Sequence, residues 1–420
     1  MAEQVRVVVD AMGGDNAPAE PVKAAVEAVT ERQDIKVILT GKQEVIDKEL
    51  AKYSGYPKNQ IQVVNASQVI ETAEPPVFAI RKKKDSSIVV GLNMVKKQEA
   101  DAFVSSGSTG AVLVGGQVLV GRSKGVERPP LAPLIPTTKG VSLLIDCGAN
   151  VDARPSHLVQ FAKMGSIYME NVVGIKNPKV AIVNNGAEEE KGNALVKETF
   201  PLLKECKSIN FIGSIEARDI PAGYADVVVC EAFVGNVILK LYEGVGSALV
   251  QKIKEGMMTS LRSKIGALLV KPALKSTLKS FDASEYGGAP LLGLKGLVVK
   301  THGSAKAIEI KHGIFQCVQF KQEKINEKIA ELSSSTGDNN LSMYEIERLK
   351  NAKNELLRKR IRFIKFSAML PYKQEKVLEM RCEKGMSWKS IATALQLGVA
   401  TVKQIFNQIE TDAEKYGGIF

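Results

Sequence analysis

The strongest constraint on folding in this sequence is an alternation. Short Val- and Ile-rich runs stop at Gly, Asp, Asn or Ser, and stretches of helical periodicity separate them. Val5–Val9, Lys36–Leu39, Gln62–Val64, Ala102–Val104, Leu143–Ile145, Val180–Val183, Ile209–Ile212 and Val227–Val229 read as buried strands. Pro21–Thr30 and Leu195–Lys204 read as helices between them. Such alternation predicts an α/β fold with a mostly parallel sheet and helices on both faces. Ligands of such sheets bind at the carboxyl ends of the strands, so function should be sought in the loops there. Near Gly235 the pattern changes. Leu239–Lys254 and Met257–Val270 predict two amphipathic helices, and the next strand signal is Leu297–Lys300.

The strand ends carry small polar residues in unusual density. The first strand runs into Asp10-Ala11-Met12-Gly13-Gly14-Asp15-Asn16-Ala17-Pro18. Paired glycines let a ligand approach the main chain, and a helix start behind them offers free N–H groups to an anion. The spacing is neither a dinucleotide fingerprint nor a phosphate-binding P-loop. Taken alone the junction is a ligand loop or a tight structural turn. Ser105-Ser106-Gly107-Ser108-Thr109-Gly110 reads either as a phosphate cradle or as a capped, close-packed helix start. Asp146-Cys147-Gly148-Ala149-Asn150 repeats the strand–acid–glycine design. Asn184-Asn185-Gly186 leads to Lys191, and Phe233-Val234-Gly235-Asn236 reads as a loop before Lys240. Several such loops together predict one site for a polar or polyanionic ligand.

Histidine chemistry has little material. Of His157, His302 and His312, only His302 follows a strand, in Lys300-Thr301-His302-Gly303-Ser304; the other two read as structural or solvent-facing. No zinc-protease or serine-hydrolase motif occurs, so neither a metal nor a cofactor is expected. Arg81-Lys82-Lys83-Lys84-Asp85-Ser86-Ser87 reads as a solvated helix face, with a docking patch for an acidic partner as the sharper alternative.

In order along the chain, VDAMGGDNAP at 9–18, IRKKKDSS at 80–87, SSGSTGA at 105–111, DCGANVDARPSHLVQFAKMGS at 146–166, KGN at 191–193, IEARDIP at 215–221, FVGNVILK at 233–240, SEYGGAPLLG at 284–293 and KTHGS at 300–304 resemble the bacterial phosphate acyltransferases of phospholipid synthesis. The resemblance covers about residues 1–330. It implies an isocitrate/isopropylmalate dehydrogenase-like fold, shared with phosphotransacetylase, and a homodimer. It further implies attack of inorganic phosphate on the thioester of acyl-carrier protein, giving acyl-phosphate, in the cytoplasm. With placement, it suggests Ser105, Gly107, Ser108, Thr109 and Gly110 for phosphate, and Asp10, Gly13, Gly14 and Asp15 for the site wall. Asp146, Gly148, Asn150, Asn184 and Gly186 complete the expected binding set, with Lys191, Asn236, Lys240 and His302 as catalytic candidates. The chain departs from the family's usual pattern at Ser106, Ser108, Glu231-Ala232 and Ala305-Lys306. The 239–270 helices fit a core or dimer interface, the favoured reading, or the peripheral attachment to an anionic membrane surface associated with the family.

A length of 420 residues exceeds one ordinary core. No uninterrupted apolar run reaches the ~18 residues that span a bilayer, and five scattered cysteines without a CxxC pair read as reduced cytosolic thiols. Of the net charge of +11, residues 334–420 hold +5 and the preceding 333 hold +6, so the tail is more basic per residue. The expected division is an acyltransferase domain at 1–333, a Ser/Gly-rich linker at 334–340 and a basic helical domain at 341–420. Within the last, Tyr372–Lys384, Trp388–Leu395 and Ala400–Ile409 have helix-turn-helix spacing with Ser387 as an N-cap, and resemble region four of sigma factors. DNA binding through 372–410 is one reading and a protein-interaction bundle the other. For the whole chain, the alternative to an enzyme is a DNA-binding regulator whose degenerate acyltransferase domain senses an acyl or phosphate metabolite.

Overall fold

A computed structural model describes residues 4–280, 287–334, 370–383 and 386–415. The chain divides into two compact units, Met1–Ser334 and Ser335–Phe420. The expected linker, apart from Ser334, lies outside the described residues.

The first unit contains strands β1 Val5–Asp10, β2 Ile35–Gly41, β3 Ile61–Asn65, β4 Ala102–Ser105, β5 Leu134–Thr137, β6 Gly140–Ile145, β7 Lys179–Val183, β8 Asn210–Ile215, β9 Val227–Val229, β10 Ala289–Leu291 and β11 Leu297–Lys300. Its helices are α1 Ala19–Glu31, α2 Gln43–Leu50, α3 Pro76–Lys82, α4 Ser87–Lys96, α5 Thr109–Gly115, α6 Pro155–Tyr168, α7 Ala194–Glu205, α8 Ala232–Met257, α9 Leu261–Ser280, α10 Ala307–Gln322 and α11 Ile325–Ser334. The expected single sheet is two. The first has the order β10-β11-β4-β1-β2-β3 and the second β5-β6-β9-β7-β8. Each is parallel except for one antiparallel edge strand, β10 or β5. The first sheet is built from the two ends of the unit, and the second entirely from its middle.

The alternation of side chains explains the layering. Val7 and Val9 of β1 face a core shared with α1, α6, α10 and the second sheet, while Val8 faces a separate core with α4 and α5. In the second sheet Leu143, Ile145, Val180, Ile182, Val227 and Val229 join the shared core. Leu144, Ala181 and Val228 face outward onto Ile220, Val234 and Ile238. One continuous apolar layer therefore lies between the sheets, fixing their strand ends relative to one another.

Two elements correct the sequence reading of the middle region. Phe233–Asn236 is no loop: it lies in the first turns of α8, whose N-cap Glu231 accepts bonds from Phe233 N at 2.6 Å and Val234 N at 2.9 Å. The second amphipathic helix starts at Leu261 and runs to Ser280, because Met257 still belongs to α8. The basic run at 81–87 straddles the junction of α3 and α4, where Ser86 caps α4.

In the second unit the described helices are Tyr372–Leu378, Trp388–Leu395 and Val399–Lys415. Ser387 is the N-cap of the middle helix, accepting from Ser390 N at 3.2 Å. Val377, Leu378, Ile391, Ala392, Val402, Phe406 and Ile409 form the core. The third helix opens at Val399, one residue before the expected Ala400.

Candidate active site

β1, β4 and β11 are neighbours in the first sheet, so their three carboxyl-end loops meet. Asp10, fully buried at the end of β1, accepts from Ser105 Oγ at 2.7 Å and Met12 N at 3.1 Å. Ser105 Oγ accepts in turn from Gly107 N at 2.9 Å. The β1 loop then folds onto these atoms. A Cβ at Gly13 would overlap Asp10 Oδ2 and lie 2.7 Å from Gly107 N. Gly14 has φ +93°, a conformation strained for any L side chain, and a Cβ there would sit 2.7 Å from Ser106 Cβ. Asp15 N donates to Gly303 O at 2.8 Å, and Asn16 Nδ2 to Ser304 O at 2.9 Å. Burial pushes the Asp10 carboxyl above the ordinary carboxylate range, against hydrogen bonds from Ser87, Ser105 and Met12 and the charge of Lys300.

Lys300 ends β11 and is buried, at 8% exposure. Its Nζ donates to Ser106 O at 3.3 Å and to Thr301 O. The Ser106 and Thr301 hydroxyls lie 2.7 Å apart, and Thr301 N donates to Ser105 O at 3.0 Å. Burial lowers the Lys300 ammonium to about 8, while Asp10 and Asp15 favour its charge and Lys240 opposes it. Lys240, in the third turn of α8, thus acts on this edge through its charge. His302 is exposed; its Nδ1 accepts from Ser304 N at 3.2 Å and lies 2.7 Å from Ser304 Oγ. In the neutral ring this assigns the proton to Nε2, which is a donor for a ligand. Ser108 caps α5, Thr109 is exposed in its first turn, and Gly110 lies against Pro76, where a Cβ would overlap the ring.

The loops of the second sheet are organised differently. Asp146, at the end of β6, accepts from Leu131 N at 3.0 Å, Ala149 N at 3.1 Å and Asn150 Nδ2 at 2.7 Å. Asn150 Nδ2 also donates to Pro129 O at 2.9 Å. Burial raises the Asp146 carboxyl. Both side chains are thus committed to the loop, with Gly148 at φ +126° between them. The Asp146 carbonyl seats α8, since a Cβ at Gly235 would lie 2.9 Å from its carbon and closer to its oxygen. Asn236 and Lys240 follow on exposed turns, Lys240 with Glu243 at 2.8 Å. After β7, Asn184 Nδ2 donates to Lys191 O and Ser214 Oγ, both at 3.2 Å. Gly186 lies against the Lys191 side chain, and Lys191 pairs with Glu188 at 2.8 Å, which raises its ammonium.

The structure therefore brings Asp10, Gly13, Gly14, Asp15, Ser105, Gly107, Ser108 and His302 together, with Lys240 close by. Asp146, Gly148 and Asn150 form a scaffold under α8, and Asn184, Gly186 and Lys191 a separate loop of the second sheet. Lys300, Thr301, Ser106 and Asn16 were not among the expected site residues. The signal for Lys300 was a lysine closing an all-apolar strand, directly before Thr-His-Gly-Ser. Among the described residues no three His, Cys, Asp or Glu side chains cluster as metal ligands.

The departures at 231–232 and 305–306 leave the local architecture coherent. Glu231 caps α8, buried Ala232 donates to Asn150 O at 3.3 Å, and Lys306 N donates to Glu309 Oε2 at 2.6 Å at the start of α10.

Fold and loops define an α/β protein in which three polar loops meet at the strand ends of one sheet. A phosphotransacetylase from Streptococcus pyogenes shares the fold, with a TM-score of 0.50 and 17% identity over 76% of this chain and 94% of that one. Sequence comparison then fixes the family. A family profile described as "Fatty acid synthesis protein" matches residues 5–328. The phosphate acyltransferase of Alkaliphilus oremlandii is 53% identical over 80% of this chain and 99% of its own length. That of Clostridium novyi is 50% identical over 77% and 97%. The chain belongs to the phosphate acyltransferase family, and it is an enzyme of that class.

Proposed function

We propose that this protein transfers a fatty acyl group from acyl-carrier protein to inorganic phosphate, releasing acyl-phosphate. The supporting observation is the convergence of loops 10–16, 105–110 and 300–305, with Lys240 near, at one sheet edge of a phosphate acyltransferase. Phosphate is anionic at neutral pH, so the chemistry asks for charge neutralisation and alignment more than for a strong base. A phosphate oxygen attacks the thioester carbon, the tetrahedral intermediate carries an oxyanion, and its collapse expels the carrier thiolate. Backbone N–H groups and hydroxyls of 105–110 hold the phosphate. His302 Nε2–H and Asn236 donate to the oxyanion, or His302, in its protonated form, gives its proton to the departing sulfur and returns to the neutral ring; Lys240 balances the negative charge. Losing one such donor costs about 10²–10³-fold in turnover. The test follows free carrier thiol released from acyl-carrier protein by phosphate, with His302→Ala and Ser108→Ala compared. Unchanged turnover in both would refute the site.

Two partner readings go with this. Leu241, Val245 and Leu249 of α8 and Leu261, Ile265, Leu268 and Leu269 of α9 are 56–76% exposed, at helical spacing. α8 is also the one described helix long and apolar enough to span a bilayer, with 6% of that stretch buried. So large an exposed stripe marks an interaction face. A second copy of the chain is the occupant we favour. Sedimentation as a monomer, with pelleting on anionic liposomes, would assign it to a membrane surface instead.

The second unit supports DNA binding as an additional activity. Its third helix presents Thr401, Lys403, Gln404, Asn407 and Gln408, all but the first amide- or ammonium-bearing, on an exposed face without an acid before Glu410. Asn and Gln suit adenine edges in a major groove. The basic excess, 12 Lys and Arg against 4 acids over 348–384, falls mostly outside the described residues. Affinity that falls steeply between 50 and 200 mM salt supports this reading; salt-independent or absent binding favours an interaction bundle. Turnover by the full chain would exclude the purely regulatory alternative.

A further inference from the structure

We propose that Lys300 is a phosphate-binding residue of the cradle, resting on the acyltransferase reading above: it locks the 105–110 loop against the 300–304 loop and gives its remaining donor to the anion. An ammonium has three donors. Two of them go to the carbonyls of Ser106 and Thr301, one on each loop. Ser106 and Thr301 are also joined through their hydroxyls, so Lys300 sits under a closed ring of contacts between β4 and β11. A buried lysine is rarely kept for stability, since burial disfavours its charge. Lysines in such positions are commonly held by an ion pair, yet no carboxylate lies within salt-bridge distance of Lys300 among the described contacts. The charged groups that act on it are Asp10 from β1, Asp15 from the following loop and Lys240 from α8. Asp10 is itself engaged by Ser105 and Met12. The positive charge is therefore only partly compensated, and it lies against the main chain of the 105–110 loop at Ser106 O. A dianion placed above it supplies the missing partner. Its ammonium, lowered to about 8, also makes the cradle pH-sensitive just above neutrality.

The test compares the full chain with Lys300→Met and Lys300→Arg. Turnover is measured with acyl-carrier protein thioester against varied inorganic phosphate from pH 6.5 to 9.5, and melting temperature is measured with and without inorganic phosphate. Lys300→Met should raise the phosphate KM about tenfold to a hundredfold, the loss of one charge-assisted hydrogen bond with kcat less affected. Wild-type KM should climb above pH 8, and that climb should vanish in Lys300→Met. Lys300→Arg, which keeps the charge, should recover part of the affinity and remove the pH 8 inflection. A Lys300→Met enzyme with wild-type KM and pH profile overturns the inference while leaving the acyltransferase reading intact. Wild-type protein that neither turns over nor is shifted in melting by phosphate overturns both. If Lys300→Met loses the phosphate-induced melting shift but retains a wild-type baseline melt, misfolding is excluded and the inference stands.

Discussion

Substituting Gly235 by alanine tests whether the seat of α8 controls the site. The added Cβ would lie 2.9 Å from the Asp146 carbonyl carbon and 3.0 Å from Cys230 Sγ, where ordinary contact begins at 3.4 Å. The nearer obstacle is the carbonyl oxygen. Both neighbours are fixed, because Asp146 N donates to Cys230 O at 3.0 Å and Cys230 N to Ile145 O at 2.8 Å. The Asp146 carbonyl cannot rotate away as a flexible side chain would, so α8 must move out by half an ångström or more. Overpacking of this kind costs about 1–3 kcal/mol, and a domain of this size then melts a few degrees lower, at about 2–4 °C per kcal/mol or less. The catalytic effect should be larger. Asn236 and Lys240 lie on the same helix, one and five residues on, and ångström-scale misplacement of a reacting group can cost about 10²-fold. The assay is phosphate-dependent release of carrier thiol, beside a thermal melt. A Gly235→Ala protein with native turnover would refute the claim that α8 delivers its side chains to the strand edge. One with a native melting temperature as well would refute the close seat itself.

Four further outcomes can be measured. Burial raises Asp10, so the folded state holds this proton more tightly than the unfolded state does, and ionisation weakens the fold as pH rises through the raised value. Asp10→Asn lacks that penalty; its stability relative to wild type should be greatest at pH 7 and should shrink towards pH 4, as read by urea unfolding across that range. Asp146→Ala strands three donors, from Leu131, Ala149 and Asn150, and should cost about 1–3 kcal/mol for each one left unsatisfied. Ser387→Ala removes the cap of Trp388–Leu395 and about 1 kcal/mol, visible as faster amide exchange in that helix. Trp388 packs edge-on to Phe406 at 5.2 Å and under Arg381 at 4.2 Å. Trp388→Ala should cost about 1–3 kcal/mol and weaken the second unit while acyl transfer by the first persists.

Where structure is local, the sequence was legible. Val5–Val9 and Val227–Val229 were read as strands because a fully buried parallel strand is a short β-branched run, and Trp388–Leu395 was bounded correctly by its Ser387 cap. β5 and β10 were missed: each is an antiparallel edge strand of three or four residues containing a proline, Pro136 or Pro290, with no run to detect. Gly235 misled in the opposite sense. It looked like a loop marker, but it is glycine because a helix backbone there meets the Asp146 carbonyl, a contact across 89 residues of sequence. The three site loops could be found individually, since Gly, Ser and Asp at strand ends are a local signal. Their grouping, and the burial of Lys300 between residues near 10, 106 and 240, could not, because only the strand order creates it.

The stitching of Asp15 and Asn16 to Gly303 and Ser304 also bears on how the enzyme is made. The second sheet can close as soon as its last strand, ending at Val229, has been synthesised. The first sheet waits with β4 unpaired on one side until β11 arrives. During translation the cradle therefore has a floor only after residue 305 has left the ribosome. Interrupted synthesis upstream of that point leaves β4 and the loop at 10–16 without their partners at 297–304.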